Sequence, residues 1–168
     1  MKKILENIKP HLILDLDGVM CCDNQYFSNI KIWHPCFDVY PFDKKCVKVL
    51  NEIIEEINPV IVLSSDWKFH FSLDQMNEIF EWNKINGKIS HYTPDLWGVK
   101  FKSISQLEEC RATEILKYVE IHNVQNYVAV DDLNLLKWIP NNFVHCKHCR
   151  EGISQLGVKE KNLNIINK

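Results

Sequence analysis

The chain has 168 residues, 46% of them hydrophobic and 25% charged, with five glycines and six prolines, which suits one globular domain with its own core and excludes a disordered or low-complexity chain. Twenty basic against twenty-two acidic residues leave a formal charge of −2, so no global field drives it onto nucleic acid or a membrane surface, although a local basic patch is compatible with that balance. No run of eighteen apolar residues exists, "MKKILENIKP" lacks the apolar stretch of a secretory signal, and the seven cysteines are odd in number and scattered, which together point to a soluble cytoplasmic protein with reduced thiols.

The first predicted element is a strand, "HLILD" (11–15), leading into Asp15, Asp17 and Gly18. An irregular segment over 20–42 follows, carrying Tyr26, Trp33 and His34, and reads as a small flap or cap insertion. Asp43 is placed to cap a helix over 44–57, in which Val47, Leu50, Ile54 and Ile57 recur on one face. "PVIVLSS" (59–65) is a continuous apolar run, as expected of a parallel strand covered on both sides. Ser72 is placed to cap a helix over 73–85, with Met76, Ile79 and Phe80 inward and Gly87 closing it. A loop is expected over 88–104. Ser105 and Glu108 then match a capping box for a helix reaching about His122. "NYVAVDD" (126–132) is a third buried strand and "NFVHC" (142–146) a fourth.

This order predicts an α/β protein: a three-layer α/β/α, Rossmann-like, mostly parallel sheet with helices on both faces, in one domain over 1–168. In such sheets the chemistry lies beyond the carboxyl ends of the strands. Asp15 and Asp17, Ser64 and Ser65, and Asp131 and Asp132 each lie at such an end, so three strands deliver polar groups to one edge. Four carboxylates there raise one another's pKa unless a cation compensates, and hard oxygen ligands without histidine suit Mg²⁺. One aspartate remains available as a nucleophile toward phosphorus. Ser64 or Ser65, with Arg111 or Lys68, supply donors for phosphate oxygens. A Ca²⁺ loop starting at Asp15 is excluded, because glycine comes two positions early and Tyr26 stands at the twelfth position.

"LILDLDGV", "VIVLSS", Arg111 and "VAVDD", in this order and spacing, resemble the four motifs of the haloacid dehalogenase (HAD) superfamily of phosphohydrolases over roughly 11–155. The resemblance implies a HAD-like fold with a small or absent cap. It implies Asp15 as nucleophile and Mg²⁺ ligand, and Asp17 as general acid/base that also offers its backbone carbonyl to the metal. Asp131 and Asp132 would be the metal ligands of the fourth motif, directly and through water or at the metal's edge. Ser64, which directly follows four apolar strand residues, is the preferred phosphate-binding hydroxyl, with Ser65 its close competitor. Arg111 stands where the third motif has Lys or Arg, with Lys102 the less well-spaced alternative. "SSDWK" and "HCREGIS" are also similar to HAD domains of RNA-repair-type proteins, although Lys68 replaces the arginine usual there.

The expected activity is thus a Mg²⁺-dependent phosphatase acting through an aspartyl-phosphate. Short cap-insertion sites imply an open site, and so a macromolecular end, a phosphoprotein, or a small substrate covered by a partner subunit, with a homo-oligomer left open. A phospho-acceptor signalling module is the first competing reading, but those modules place the acidic pair before the phosphorylated aspartate. The second is a non-catalytic phosphate-binding descendant, and the intact set of four carboxylates counts against it. "HCKHCR" (145–150) invites zinc at Cys146 and Cys149, yet a lone C-x-x-C lacks a second ligand pair. The five tryptophans, Trp67 among them, are expected to be packing residues.

Overall fold

The segments HLIL, VIVL and YVAVD carry no alternation of polar and apolar residues, so as strands they need cover on both faces. A computed structural model describes residues 9–22, 34–39, 41–96 and 102–167. It forms them as β1 (His11–Leu14), β2 (Val60–Leu63) and β4 (Tyr127–Asp131), the first two buried at every position. β1 lies between β2 and β4, with Leu14 opposite Leu63 on one side and Val130 on the other. β3 (Ile89–Tyr92) and β5 (Phe143–His145) complete the order β3-β2-β1-β4-β5, with every pairing parallel. This is the expected α/β sheet.

Period-two alternation splits the core into two layers. Leu12, Leu14, Ile61, Leu63, Val128 and Val130 face the helices α1 (Lys44–Ile57), α2 (Leu73–Trp82) and α4 (Val158–Ile166). Ile13, Val60, Val62 and Ala129 face α3 (Ile104–His122), which presents Ala112, Ile115 and Tyr118 to them. Caps set the helix starts: Asp43 Oδ1 accepts from the backbone N–H of Lys45 at 2.8 Å, and Ser72 forms a full capping box with Gln75.

Several expectations are corrected. The loop predicted over 88–104 contains β3, whose Ser90 is exposed and whose His91 and Tyr92 are half-buried; an edge strand does not need the apolar run that marks a central one. α2 ends at Trp82 with Asn83 as its C-cap, not at Gly87. Gly87 is needed for packing instead, since a Cβ there would lie 2.7 Å from Ile61 Cδ1. α3 starts two residues early: Ser103, not Ser105, accepts from Gln106 N–H, while the Gln106 side chain accepts from Lys102 N–H. Glu108 instead accepts from Asn134 N–H at 3.2 Å. α4 and the one-turn helix Gly152–Ser154 had no counterpart among the predicted elements. Of the flap at 20–42, Tyr26 and Trp33 lie outside the described residues. His34 is buried, stacked on Phe37, and accepts from two backbone N–H groups through Nδ1.

Candidate active site

The alternation that orders the core also aims the polar strand ends. Ile13, Val62 and Ala129 belong to the layer that meets α3. Two residues further along each strand stand Asp15, Ser64 and Asp131, returned to the same side. The register carries through these positions: Ser64 N–H donates to Leu14 O at 2.9 Å and Asp15 N–H to Val130 O at 3.0 Å. Ser64, Asp15 and Asp131 therefore form a row across three neighbouring strands, all buried. On α3, Arg111 precedes Ile115 and Tyr118 by four and seven residues, so it shares the face that packs on the sheet.

Arg111 meets that row. Its Nη1 donates to Asp15 Oδ1 at 2.8 Å and to Asp131 Oδ2 at 2.9 Å, and Nη2 donates to Asp66 Oδ1 at 3.1 Å. Burial on its own would pull the guanidinium pKa down, but Asp131, Asp15 and Asp66 together hold it above its ordinary value. Asp15, Asp131 and Asp132 each bring a carboxylate oxygen within 4.8 Å of the others. Burial pushes Asp131 far above the usual carboxylate range, with Arg111 opposing, and pushes Asp132 to about 6, with Asp15 adding to the rise. One guanidinium thus answers several converging carboxylates. That imbalance, in a set of hard oxygen donors, fits a divalent cation such as Mg²⁺.

Asp17 lies apart from that group and is held from another direction. Trp67 Nε1 donates to its Oδ2 at 3.0 Å. Burial and then the Asp15 charge raise the Asp17 pKa, while the indole N–H holds it down. Gly18 follows with φ +70°, and a Cβ there would lie 2.3 Å from Asp132 Oδ2. The glycine of "DLDG" is therefore required twice, by the backbone and by the carboxylate seated against it. Gly18→Ala is expected to lose more than the ~1–2 kcal/mol that a left-handed conformation alone costs a side chain, and to weaken divalent-ion binding. Urea unfolding and calorimetric Mg²⁺ titration check this; wild-type values in both would refute the close approach.

Ser64 and Ser65 are 1% and 0% exposed, and both hydroxyls lack a hydrogen-bond partner among the described residues. A buried unpaired hydroxyl costs about 1–3 kcal/mol, so both hydroxyls are suited to donate to an anion bound at this end of the sheet. Lys68, the other cation considered for phosphate, is committed elsewhere: its Nζ donates to Glu114 Oε2, to Thr93 Oγ1 at 3.1 Å and to Pro94 O at 3.4 Å. Lys102 is exposed at the start of α3. Cys146 is buried and Cys149 exposed, and neither belongs to the metal-competent group found among the described residues. Trp67 is the site residue that the sequence marked for packing alone; its place directly after "SSD" was the available signal.

The Asp132 shift has a measurable sign. With an ordinary value of 3.8 and a folded value of about 6, this carboxyl's contribution to stability is present below the lower value and lost as pH rises through the higher one. A cation that binds the ionised form reverses the loss. Mg²⁺ is therefore expected to raise the thermal midpoint more at about pH 8 than at about pH 5. An equal rise at both would remove Asp132 from the ligand set.

The family model described as the HAD domain in Swiss Army Knife RNA repair proteins matches residues 11–156. No curated protein and no solved structure matches the chain.

Proposed function

This chain belongs to the family of HAD domains found in Swiss Army Knife RNA repair proteins, and we propose that it is a Mg²⁺-dependent phosphomonoesterase in which Asp15 carries the phosphoryl group between two half-reactions. Membership of the HAD superfamily supports phosphatase-type hydrolase chemistry. The observation that supports the finer reading best is the row Ser64, Asp15 and Asp131, read together with the two unpartnered serine hydroxyls. It combines a nucleophile, oxyanion donors and a carboxylate group suited to a cation within one sheet edge.

In this mechanism Arg111 Nη1 holds Oδ1 of Asp15, leaving Oδ2 to attack phosphorus in line. Ser64, on the α3 side with Asp15, donates to a phosphoryl oxygen, with Ser65 the second donor. Asp17 protonates the leaving oxygen as its bond to phosphorus breaks, a task suited by its raised pKa. The same carboxylate then takes a proton from water as that water attacks the aspartyl-phosphate, releasing inorganic phosphate and restoring Asp15. Asp15, Asp131 and Asp132, with the Asp17 backbone carbonyl, would hold Mg²⁺, which shields the charge of the transferring phosphoryl group.

The occurrence of this domain in RNA repair proteins points to a phosphorylated polynucleotide end as substrate. A net charge of −2 provides no long-range attraction for it, so contacts at the site must supply the affinity. Seven free cysteines support a reducing, cytoplasmic setting. The test is phosphate release from a panel of aryl phosphates, nucleotides and 5′- or 3′-phosphorylated oligoribonucleotides, with Mg²⁺ and with chelator. Metal-dependent release from at least one class is expected. No release from any, or a phospho-adduct that persists instead of turning over, would overturn the reading.

A further inference from the structure

We propose that Trp67 is a positioning residue for the acid–base step, fixing Asp17 so that Oδ1 is the oxygen that delivers and collects the proton. The proposal rests on the reading of Asp17 as general acid/base. An indole N–H donates and never accepts. At 3.0 Å from Asp17 Oδ2, it engages that oxygen and leaves Oδ1 to face the reacting group. Left alone, a carboxyl group rotates about its terminal torsion, which is broad and nearly two-fold, and so presents either oxygen. The indole removes that freedom.

Trp67 is well placed to do so because its own ring is held. It stands edge-on to Phe42 at 5.8 Å and tilted against Phe71 at 5.7 Å between ring centroids. It belongs to the single turn Asp66–Phe69 that starts directly after Ser65, so the end of β2 that carries the serine hydroxyls also carries the residue that aims the acid. The Asp66 carboxylate of that turn is bonded to Arg111. One short turn thereby joins the phosphate end, the guanidinium and the acid.

The step itself balances simply. Asp17 Oδ1–H gives its proton to the ester oxygen as the P–O bond breaks, so the alcohol leaves neutral and Asp17 becomes a carboxylate. A water proton restores Asp17 as the Asp15–phosphate bond is hydrolysed.

The test is a leaving-group series, because protonation matters for a poor leaving group and little for a good one. kcat/KM is measured from alkyl phosphate to 2,4-dinitrophenyl phosphate for wild type, Asp17→Asn, Trp67→Phe and a variant carrying the benzothienyl isostere at position 67, which keeps the ring shape and lacks the N–H. General acid catalysis contributes typically 10²–10⁴-fold. Asp17→Asn is expected to lose about that much on the alkyl ester and far less on the dinitrophenyl ester. Both position-67 variants are expected to lose roughly 10-fold or more on the alkyl ester, a partial share of the general-acid effect, and to change little on the dinitrophenyl ester. If Asp17→Asn falls equally across the series, or not at all, the acid–base reading fails. If Asp17→Asn shows the dependence and the isostere variant does not, that reading stands and the role of Trp67 is overturned. A uniform loss in Trp67→Phe with no loss in the isostere overturns it equally, since packing then explains the phenotype.

Discussion

Asp15→Asn is expected to abolish Mg²⁺-dependent hydrolysis of an aryl phosphate, a fall of about 10⁴-fold or more on the scale seen when a covalent nucleophile is removed, while leaving the fold intact. Asparagine keeps the volume of aspartate and an oxygen that can accept from Arg111 Nη1, so the bond now 2.8 Å long has a successor. It lacks the anionic oxygen to which the proposed mechanism gives the attack on phosphorus. It also removes one negative charge from a site where a single guanidinium faces Asp15 and Asp131 with Asp132 close by. Without metal, the variant should therefore unfold at the wild-type temperature or above it. Phosphate release and thermal unfolding, measured on the same preparations, separate these effects. Equal activity in wild type and variant would refute the nucleophile assignment, whereas lost activity with a large drop in stability would point to a structural carboxylate.

Those features of the fold that depend on burial were readable in the sequence, and those that depend on compromise were not. β1, β2 and β4 lie in the middle of the sheet with core layers on both sides, so their central residues had to be apolar on both faces, and the runs stood out. β3 lies at the edge, where among the described residues one flank is free of strand pairing and half-exposed side chains suffice. "ISHY" carries no signal that separates it from a loop. The α3 start shows a different limit. Ser103–Gln106 and Ser105–Glu108 both satisfy the capping pattern, and the choice is made by a distant partner, Asn134, that occupies Glu108.

The candidate site divides in the same way. Asp15, Ser64 and Asp131 follow from strand ends and period-two alternation, which are local. Arg111 could be placed by its spacing on a helix, but its two bonds to Asp15 and Asp131 depend on which sheet face α3 covers. The Trp67–Asp17 bond joins residues fifty positions apart through a turn too short to have a periodic signature. Lys68 shows how side-chain type can mislead: a cation beside a phosphate motif suggested phosphate binding, and Glu114, one helical turn beyond Arg111, has taken it.

Arg111→Met should show how the site shares its charge between protein and metal. The guanidinium is buried, and it donates to two buried carboxylates, Asp15 and Asp131. Its third partner, Asp66, is 62% exposed at the side chain and contributes little. Methionine fills a similar length with apolar atoms, so the loss is one of charge more than of packing. In the absence of metal, Asp15 and Asp131 then lie buried and uncompensated, at a cost of about 3–5 kcal/mol. Protonation relieves part of that cost, so the deficit should be larger at about pH 8 than at about pH 5. A divalent cation supplies the missing charge at the same carboxylates. Mg²⁺ should therefore stabilise Arg111→Met more than it stabilises wild type, even though activity stays depressed by roughly 10²-fold, because no guanidinium then holds Asp15 Oδ1 for the proposed attack. An arginine that merely packed α3 against the sheet would give a deficit indifferent to metal. Thermal unfolding of both proteins across a Mg²⁺ titration distinguishes the two cases: parallel curves would mean that Arg111 and the metal do not act on the same carboxylates, and the assignment of Asp15 and Asp131 as ligands would fall with that result.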